Sequence, residues 1–335
     1  MANKKHTTIQ EVAKFAGVSP ITASRALSNP KLVKDITRRR VEAAAKELNF
    51  IPNFAAGILS KDKSNMVGVI VPTLSNSIFA DTIQALSETI SSHGIQLLIG
   101  TNNYSIDREE DIIKTFISHR ADGLILTGHT HTAYAEELIK SFAIPTLEIW
   151  NLRKKRDFVC VGMSNYRAAY EMTEYLIKKG YKRIGYIGGL LANNDRSEDR
   201  LNGYRDALKN YGVEFDSSII RESDFSLLNG AEAMRSLLTL THRPDCVFAS
   251  SDIIAFGALI ECQNKGISIP SDIALAGFDD AVIGSMTKPG LTTVRVPRRQ
   301  IGLKAGNIIM KLLQKDPDIS SVNDLGFDLA IRDTA

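Results

Sequence analysis

The stretch PITASR, residues 20–25, carries side chains suited to reading DNA. Thr22 and Arg25 can hydrogen bond to base edges or to phosphate oxygens. Pro20 and Ile21 have no hydrogen-bonding side-chain group, so thymine methyls and other groove carbons are their expected partners. Ser24 fits packing or a phosphate contact, and Arg38 fits a phosphate contact. The full set predicted for this DNA interface is Thr8, Ser19, Pro20, Ile21, Thr22, Ser24, Arg25, Lys34 and Thr37.

Two short helices joined by a turn would position these side chains. Thr8 is a predicted N-cap, and Glu11 three residues later completes a capping box. Gly17 ends that helix, and Ser19 caps a second one that begins at a proline. A third amphipathic helix is predicted over 36–48, so the segment reads as a helix-turn-helix with a shared core. A three-helix module that binds another protein is the alternative.

The charge distribution favours a polyanion as the partner of this segment. Residues 1–65 carry 12 Lys and Arg against 5 Asp and Glu, a net charge of +7, and the rest of the 335-residue chain is −4. Three cysteines lack metal-ligand spacing and are expected as reduced thiols. We find no secretory signal, no apolar run long enough to span a membrane and no catalytic, metal or cofactor motif, which predicts a cytoplasmic protein without enzymatic activity.

With these motifs in place, TIQEVAKFAGVSPITASRALSN and RRRVEAAAKELNFIPN resemble the DNA-binding head of the lac repressor/galactose repressor family. The resemblance implies a head at 1–51, a hinge helix and linker at 52–65 and a ligand-binding, dimerising body at 66–335. Two hinges of a homodimer would enter the minor groove of a pseudo-palindromic operator. The hinge residues that this resemblance assigns to DNA are Asn53, Ala56, Gly57 and Leu59, with Leu59 as the wedge between base steps.

The body alternates strands and helices, including a helix predicted over 200–211. This alternation predicts parallel sheets covered on both faces and, because the series restarts, two lobes. The predicted fold class is therefore α/β: a small all-α head and a two-lobed, doubly wound body like that of periplasmic binding proteins. The first lobe is predicted at about 66–161 and 293–321, and the second at about 162–292 and 322–335. Ligands of such sheets bind beyond the carboxyl ends of the strands.

Within that family, the resemblance implies a small effector held between the lobes. Arg200 matches an arginine that grips ligand oxygens, and Asp279 matches a carboxylate that accepts from ligand hydroxyls. Asp252 matches the aspartate of an Asn-Asp pair that here reads Ser251-Asp252. The effector-binding residues predicted in full are Ser75, Asn76, Phe79, Thr127, His131, Glu148, Arg200, Ser251, Asp252 and Asp279.

The segments GLILTGHTHT, IPTLEIW and IECQNKG resemble the gluconate-operon repressors within the family. This resemblance implies a sugar-acid inducer near His131 and Glu148, with arginine suited to its carboxylate. His131 as a surface or loop histidine and Glu148 as a partner of Arg153 are the alternatives at these two positions. A neutral sugar, a corepressor and a sugar receptor without DNA function are the alternatives for the whole chain.

Overall fold

The computed structural model describes residues 7–28, 32–51, 63–152 and 158–335. The chain forms two compact units, residues 1–64 and 65–335. The first unit contains three helices, α1 (Ile9–Ala16), α2 (Pro20–Ser28) and α3 (Asp35–Glu47). The hinge positions Asn53, Ala56, Gly57 and Leu59 lie outside the described residues.

The helix signals predicted for the head are confirmed. Thr8 and Glu11 form the capping box at the start of α1, and Gly17 ends that helix in the left-handed conformation, with φ of 62°. The Ser19 hydroxyl accepts the amide hydrogen of Thr22 at 3.2 Å, which is the N-cap bond of α2. The three helices share one small core of Val12, Ala13, Ala16, Ala23, Ala26, Val41, Ala44 and Ala45.

The first lobe of the second unit is built on a six-stranded parallel sheet in the order β11-β5-β4-β3-β1-β2. Its strands are β1 (Met66–Val71), β2 (Gln96–Thr101), β3 (Gly123–Thr127), β4 (Thr146–Ile149), β5 (Val159–Gly162) and β11 (Val322–Asp324). Its helices are α4 (Ile78–Ser91), α5 (Ile106–Ser118), α6 (Ala133–Ser141) and α11 (Arg298–Leu313). Helices α4 and α11 pack on one face of the sheet, and α5 and α6 pack on the other.

The second lobe has a sheet in the order β12-β10-β9-β8-β6-β7, in which only the β10–β12 pair is antiparallel among the described strands. Its strands are β6 (Ile184–Gly189), β7 (Ile220–Ser223), β8 (Cys246–Ala249), β9 (Ala274–Asp279), β10 (Thr292–Arg295) and β12 (Asp328–Ala330). Its helices are α7 (Asn165–Lys178), α8 (Asp195–Asn210), α9 (Leu227–Leu238) and α10 (Asp252–Asn264). The predicted fold class, a helical head and a two-lobed α/β body, is confirmed. None of the described helices is long and apolar enough to cross a bilayer.

Three predicted boundaries need correction. The sequence assigned 293–321 to the first lobe and 322–335 to the second, but β10 pairs with β9 in the second sheet and β11 pairs with β5 in the first. The chain therefore changes lobe after Arg295 and again after Asp324. The lobe to which such a short strand belongs is decided by the strand with which it pairs, and the residues of the short strand do not specify that partner. Helix α8, predicted from Arg200, begins at Asp195, because the polar segment DRSED has no apolar stripe to reveal it.

Candidate functional site

The outer face of α2 presents the side chains expected to contact DNA. Pro20, Ile21, Ser24 and Arg25 are exposed, and Ile21 is 65 % exposed although it is apolar. Such exposure in a small helical unit suits contact with groove carbons. Thr22 is half-buried, and its hydroxyl lies 2.8 Å from that of Ser19.

The start of α3 supplies a second set of polar groups in the same unit. Lys34 is exposed and Thr37 is partly exposed. Arg38 lies 3.4 Å from Asp35 and 3.6 Å from Glu42, so its guanidinium already has carboxylate neighbours. The Thr8 hydroxyl takes part in the capping box, donating to the Glu11 carboxylate at 3.0 Å.

Between the lobes of the body, a cavity of about 20 Å³ lies at the carboxyl ends of the strands. Two ring pairs enclose it: Tyr104 stacks on Phe225 across the lobes, and Phe79 packs against Trp150, each pair with centroids 4.9 Å apart. The cavity is lined by Asn76, Ile78, Phe79, Tyr104, Trp150, Asn194, Arg196, Ser197, Arg200, Phe225 and Ser251. Aromatic walls with a few polar groups are typical of carbohydrate and cofactor sites.

Buried polar atoms around this cavity lack hydrogen-bond partners among the described residues. Two are donors, Nδ2 of Asn76 and Nε1 of Trp150, and two are acceptors, Oδ1 of Asn194 and Oδ1 of Asp279. Buried polar groups in folded proteins are almost always hydrogen-bonded. Three of these atoms belong to residues that line the cavity, and Asp279 is bound to a fourth lining residue, Ser251. A bound polar molecule or ordered water would complete their hydrogen bonds.

Arg200 is the cation at the centre of this site. Its Nε donates to Oδ1 of Asn165 at 2.8 Å, its Nη1 donates to the Ser250 carbonyl at 2.6 Å, and its guanidinium lies 3.8 Å from the centroid of the Phe278 ring. Burial lowers the pKa of Arg200, although the carboxylate of Asp279 acts in the opposite direction. An arginine side chain stays charged under these conditions, so the site offers a fixed positive charge.

Asp279 is a fully buried carboxylate at the end of β9. Burial raises its pKa, while Arg200 and the hydroxyl of Ser251, which donates at 2.8 Å, lower it. Its backbone has a φ of 122°, a conformation that costs a non-glycine residue about 1–3 kcal/mol. Arg298 of the first lobe holds this backbone by donating to the Asp279 carbonyl at 2.9 Å.

Asp252 has a different role from the one the sequence predicted. Its carboxylate accepts from the Thr293 hydroxyl at 2.6 Å and from the amide of Ala281 at 2.7 Å. Burial raises the pKa of Asp252, and the charge of Asp279 adds to that effect. With both oxygens occupied, Asp252 fixes the loop that follows Asp279 and does not line the cavity.

The structure brings four predicted effector residues to the cavity, Asn76, Phe79, Arg200 and Ser251, with Asp279 bound to Ser251. Two further predicted residues lie away from its lining. Ser75 is exposed and lines an adjoining groove of about 410 Å³. The Thr127 hydroxyl donates to the Ile70 carbonyl at 2.8 Å within the sheet.

His131 and Glu148 also lie away from the cavity lining. His131 is in the loop before α6, as one alternative had it, but it is not a surface residue. The His131 side chain is fully buried, with Nδ1 2.5 Å from the Glu109 carboxylate and Nε2 3.6 Å from that of Glu148. Burial alone would lower the pKa of His131, but the two carboxylates outweigh it and raise the pKa to about 9. These residues form a buried ion cluster inside the first lobe, on the side of the sheet covered by α5 and α6.

Sequence reasoning missed several cavity residues, namely Tyr104, Trp150, Asn194, Arg196, Ser197 and Phe225. Trp150 had a signal, because it is the single tryptophan of the chain and directly follows a strand of the first sheet. Asn194, Arg196 and Ser197 were missed because helix α8 was predicted to begin five residues too late. Tyr104 and Phe225 lie in loops of different lobes, and their stacking depends on tertiary structure alone.

Comparisons with known proteins agree with both parts of this description. Residues 8–53 match the family "Bacterial regulatory proteins, lacI family", and residues 64–325 match "Periplasmic binding proteins and sugar binding domain of LacI family". The HTH-type transcriptional regulator GntR of Pseudomonas aeruginosa is 36% identical over 329 residues, which cover 98% of this chain and 95% of that protein. The GntR of Escherichia coli K12 is 33% identical over 327 residues, 98% of each chain. The crystal structure of a LacI-family transcriptional regulator from Silicibacter pomeroyi superposes with a TM-score of 0.90 at 34% identity, covering 98% of this chain and 99% of that one.

Proposed function

Because the chain belongs to the LacI family of DNA-binding transcriptional regulators and is not an enzyme, we propose that it is a repressor induced by a sugar acid. In this proposal a gluconate-type effector binds between the lobes and releases the protein from its operator. The observation that carries it is the set of buried donors and acceptors around Arg200 that have no partner among the described residues.

The proposed orientation of the effector follows from whether each group donates or accepts hydrogen bonds. Nδ2 of Asn76 and Nε1 of Trp150 are donors, and with the guanidinium of Arg200 they match a carboxylate. Oδ1 of Asn194 and Oδ1 of Asp279 are acceptors, and they match hydroxyl groups. A polyhydroxy acid meets both requirements, whereas a neutral sugar has no carboxylate to accept from these donors. The resemblance to gluconate-operon repressors supports the same class.

For the head, we propose that α2 reads the major groove and that two chains form a cytoplasmic homodimer on a pseudo-palindromic operator. Ile21, Thr22 and Arg25 are the proposed base-contacting residues, and Lys34 and Thr37 the proposed phosphate contacts. We propose that the coupling to the effector passes through the predicted hinge helix and linker at 52–65, most of which lies outside the described residues, and that DNA binding orders this helix.

A thermal-shift panel with gluconate, idonate, ketogluconates, glucose, other neutral hexoses and purines tests the effector class. A ligand at about 100 times its Kd stabilises the folded state by about 2.7 kcal/mol, which raises the melting temperature by several degrees. Gluconate and glucose are compared directly, since gluconate is the open-chain acid of glucose and the pair contrasts a charged polyol with a neutral ring of the same carbon number. We expect a shift with gluconate that Arg200→Gln abolishes. A shift with a neutral sugar and none with any sugar acid would overturn the sugar-acid proposal.

A titration of operator DNA with and without effector distinguishes induction from corepression. We expect gluconate to weaken binding of the full-length protein to its operator in a fluorescence anisotropy titration at fixed salt, since affinities for DNA depend on salt. A ligand that tightened operator binding would replace induction with corepression.

A further inference from the structure

Asn151 lies where the first lobe meets helix α8 of the second, and its backbone is tightly constrained. Trp150 before it has a left-handed φ of 75°. Gly162 has no Cβ, which lets its backbone lie close to that of Asn151. A Cβ at this position would lie only 2.8 Å from the backbone nitrogen of Asn151. The side chain is 3 % exposed and points at α8.

The Asn151 amide nitrogen bridges two carboxylates of the second lobe. Its Nδ2 donates to Oδ2 of Asp195 and to Oδ2 of Asp199, both at 2.8 Å. These two residues are four apart on α8, so their carboxylates share one face of the helix. Burial acts to raise the pKa of both. For Asp195, Arg196 and His129 outweigh this effect and lower the pKa, whereas the pKa of Asp199 remains raised. A shared neutral donor therefore relieves repulsion between two acidic groups.

The Asn151 amide oxygen connects the same side chain to the cavity. It accepts from Nδ2 of Asn165 at 3.2 Å, and Oδ1 of Asn165 accepts from Nε of Arg200 at 2.8 Å. Asn165 also donates to the Trp150 carbonyl at 2.9 Å. One amide thus contacts the acidic face of α8 and, through a single intermediate residue, orients the guanidinium of Arg200.

Further contacts cross the same junction. The backbone amide of His129 donates to Oδ2 of Asp195 at 3.2 Å, and Nη1 of Arg196 donates to the Thr127 carbonyl at 3.1 Å. The His129 imidazole also lies 3.4 Å from the Asp195 carboxylate, but it contacts only this one of the two carboxylates. Asn151 differs from these contacts because its side chain donates to both Asp195 and Asp199 and also reaches Asn165.

We infer that Asn151 is an interlobe clamp: its amide holds the two lobes closed and, through Asn165, positions Arg200 for the ligand. Closure and ligand affinity are thereby coupled through one side chain. The statement about affinity rests on the proposed function, while the statement about closure does not.

Asn151→Asp tests the clamp with almost no change in shape, because it replaces the bridging donor with a third carboxylate. The matched control is Asn202→Asp, which adds the same charge to an exposed position of the same helix. The variant Asn151→Asp with Asp199→Asn exchanges the two groups and restores an amide–carboxylate hydrogen bond. A structural defect at Asn151 would not be repaired by this exchange.

Two measurements on the full chain report on the clamp. The distance between spin labels on Ala133→Cys and Leu228→Cys, exposed positions at the starts of α6 and α9, reports lobe opening without ligand. Calorimetric titration with gluconate reports affinity. For Asn151→Asp we expect a longer distance and an affinity lower by about tenfold or more, the loss typical of one charge-assisted hydrogen bond. Asn202→Asp should match the wild type, and the exchanged pair should recover both quantities.

An unchanged label distance in Asn151→Asp would overturn the clamp, as would an exchanged pair no better than the single variant. If wild-type protein fails to bind any sugar acid, the proposed effector is wrong, and the label distance measured without ligand still decides the clamp.

Discussion

The buried cluster of His131, Glu109 and Glu148 makes stability depend on pH in a predictable direction. The pKa of His131 is raised from 6.5 to about 9 in the folded protein. A raised pKa means that the folded protein binds the proton more tightly than the unfolded chain does. The resulting stabilisation is complete below pH 6.5 and is lost as the pH rises towards 9. The difference between the two values corresponds to about 3 kcal/mol.

His131→Gln removes the titrating group and keeps a side chain that can donate a hydrogen bond. The free energy of unfolding of wild type minus that of His131→Gln should fall by about 3 kcal/mol between pH 6 and pH 9.5. Urea denaturation followed by tryptophan fluorescence measures it locally, because Trp150 is the single tryptophan and lies in the same lobe. His93→Gln, at an exposed histidine of that lobe, is the control and should show no such trend. A difference between wild type and His131→Gln that is the same at both pH values would refute this account of the cluster.

Four further substitutions test the effector site, the DNA-binding head and the predicted hinge. Asp279→Asn should weaken gluconate binding by about 1.5–3 kcal/mol while operator binding without effector is retained, and equal calorimetric affinities would contradict the acceptor role of Oδ1. Ile21→Ala should weaken binding to the operator more than to random duplex, and parallel losses in competition titrations would exclude base contact. Lys34→Gln should weaken binding to both duplexes and lower the slope of log K against log salt by about 1 per phosphate contact, which an unchanged slope would disprove. Gly57→Ala, outside the described residues, should favour the hinge helix by about 1 kcal/mol, tighten operator binding and blunt induction, and an unchanged induction ratio in a reporter assay would count against it.

The head was predictable from sequence because its folding signals are local. Capping by Thr8, termination at Gly17 and the cap at Ser19 all act within four residues of the chain. The alternation of strands and helices likewise follows from short-range patterns. What these patterns leave open is which strand an edge strand pairs with, and for that reason β10 and β11 were assigned to the wrong lobes.

The cleft was harder to predict because its residues meet through tertiary structure. His131 reads as a loop residue, and only the fold brings Glu109 and Glu148 against it. Asp252 and Asp279 look equivalent in the sequence as acids at strand ends. In the structure, both oxygens of Asp252 accept hydrogen bonds, from Thr293 and from Ala281. Oδ1 of Asp279 has no partner among the described residues. Family resemblance identifies such positions, whereas the direction of each side chain comes from the structure.

The backbone around the cleft explains why closure should respond to single side chains. Residues with positive φ gather at the carboxyl ends of strands there, including Tyr104 at 61°, Trp150 at 75° and Asp279 at 122°. Each such conformation costs about 1–3 kcal/mol and persists only where surrounding contacts offset it. Tyr104 has its stacking partner Phe225 in the opposite lobe, and the Asp279 carbonyl accepts from Arg298 across the same cleft. These two contacts form only when the lobes are together, whereas the Ser251 hydroxyl holds Asp279 from within its own lobe. Opening therefore removes part of what offsets the strain. A ligand, or one amide such as that of Asn151, shifts this equilibrium only by the difference between its free energies of interaction with the open and the closed lobes.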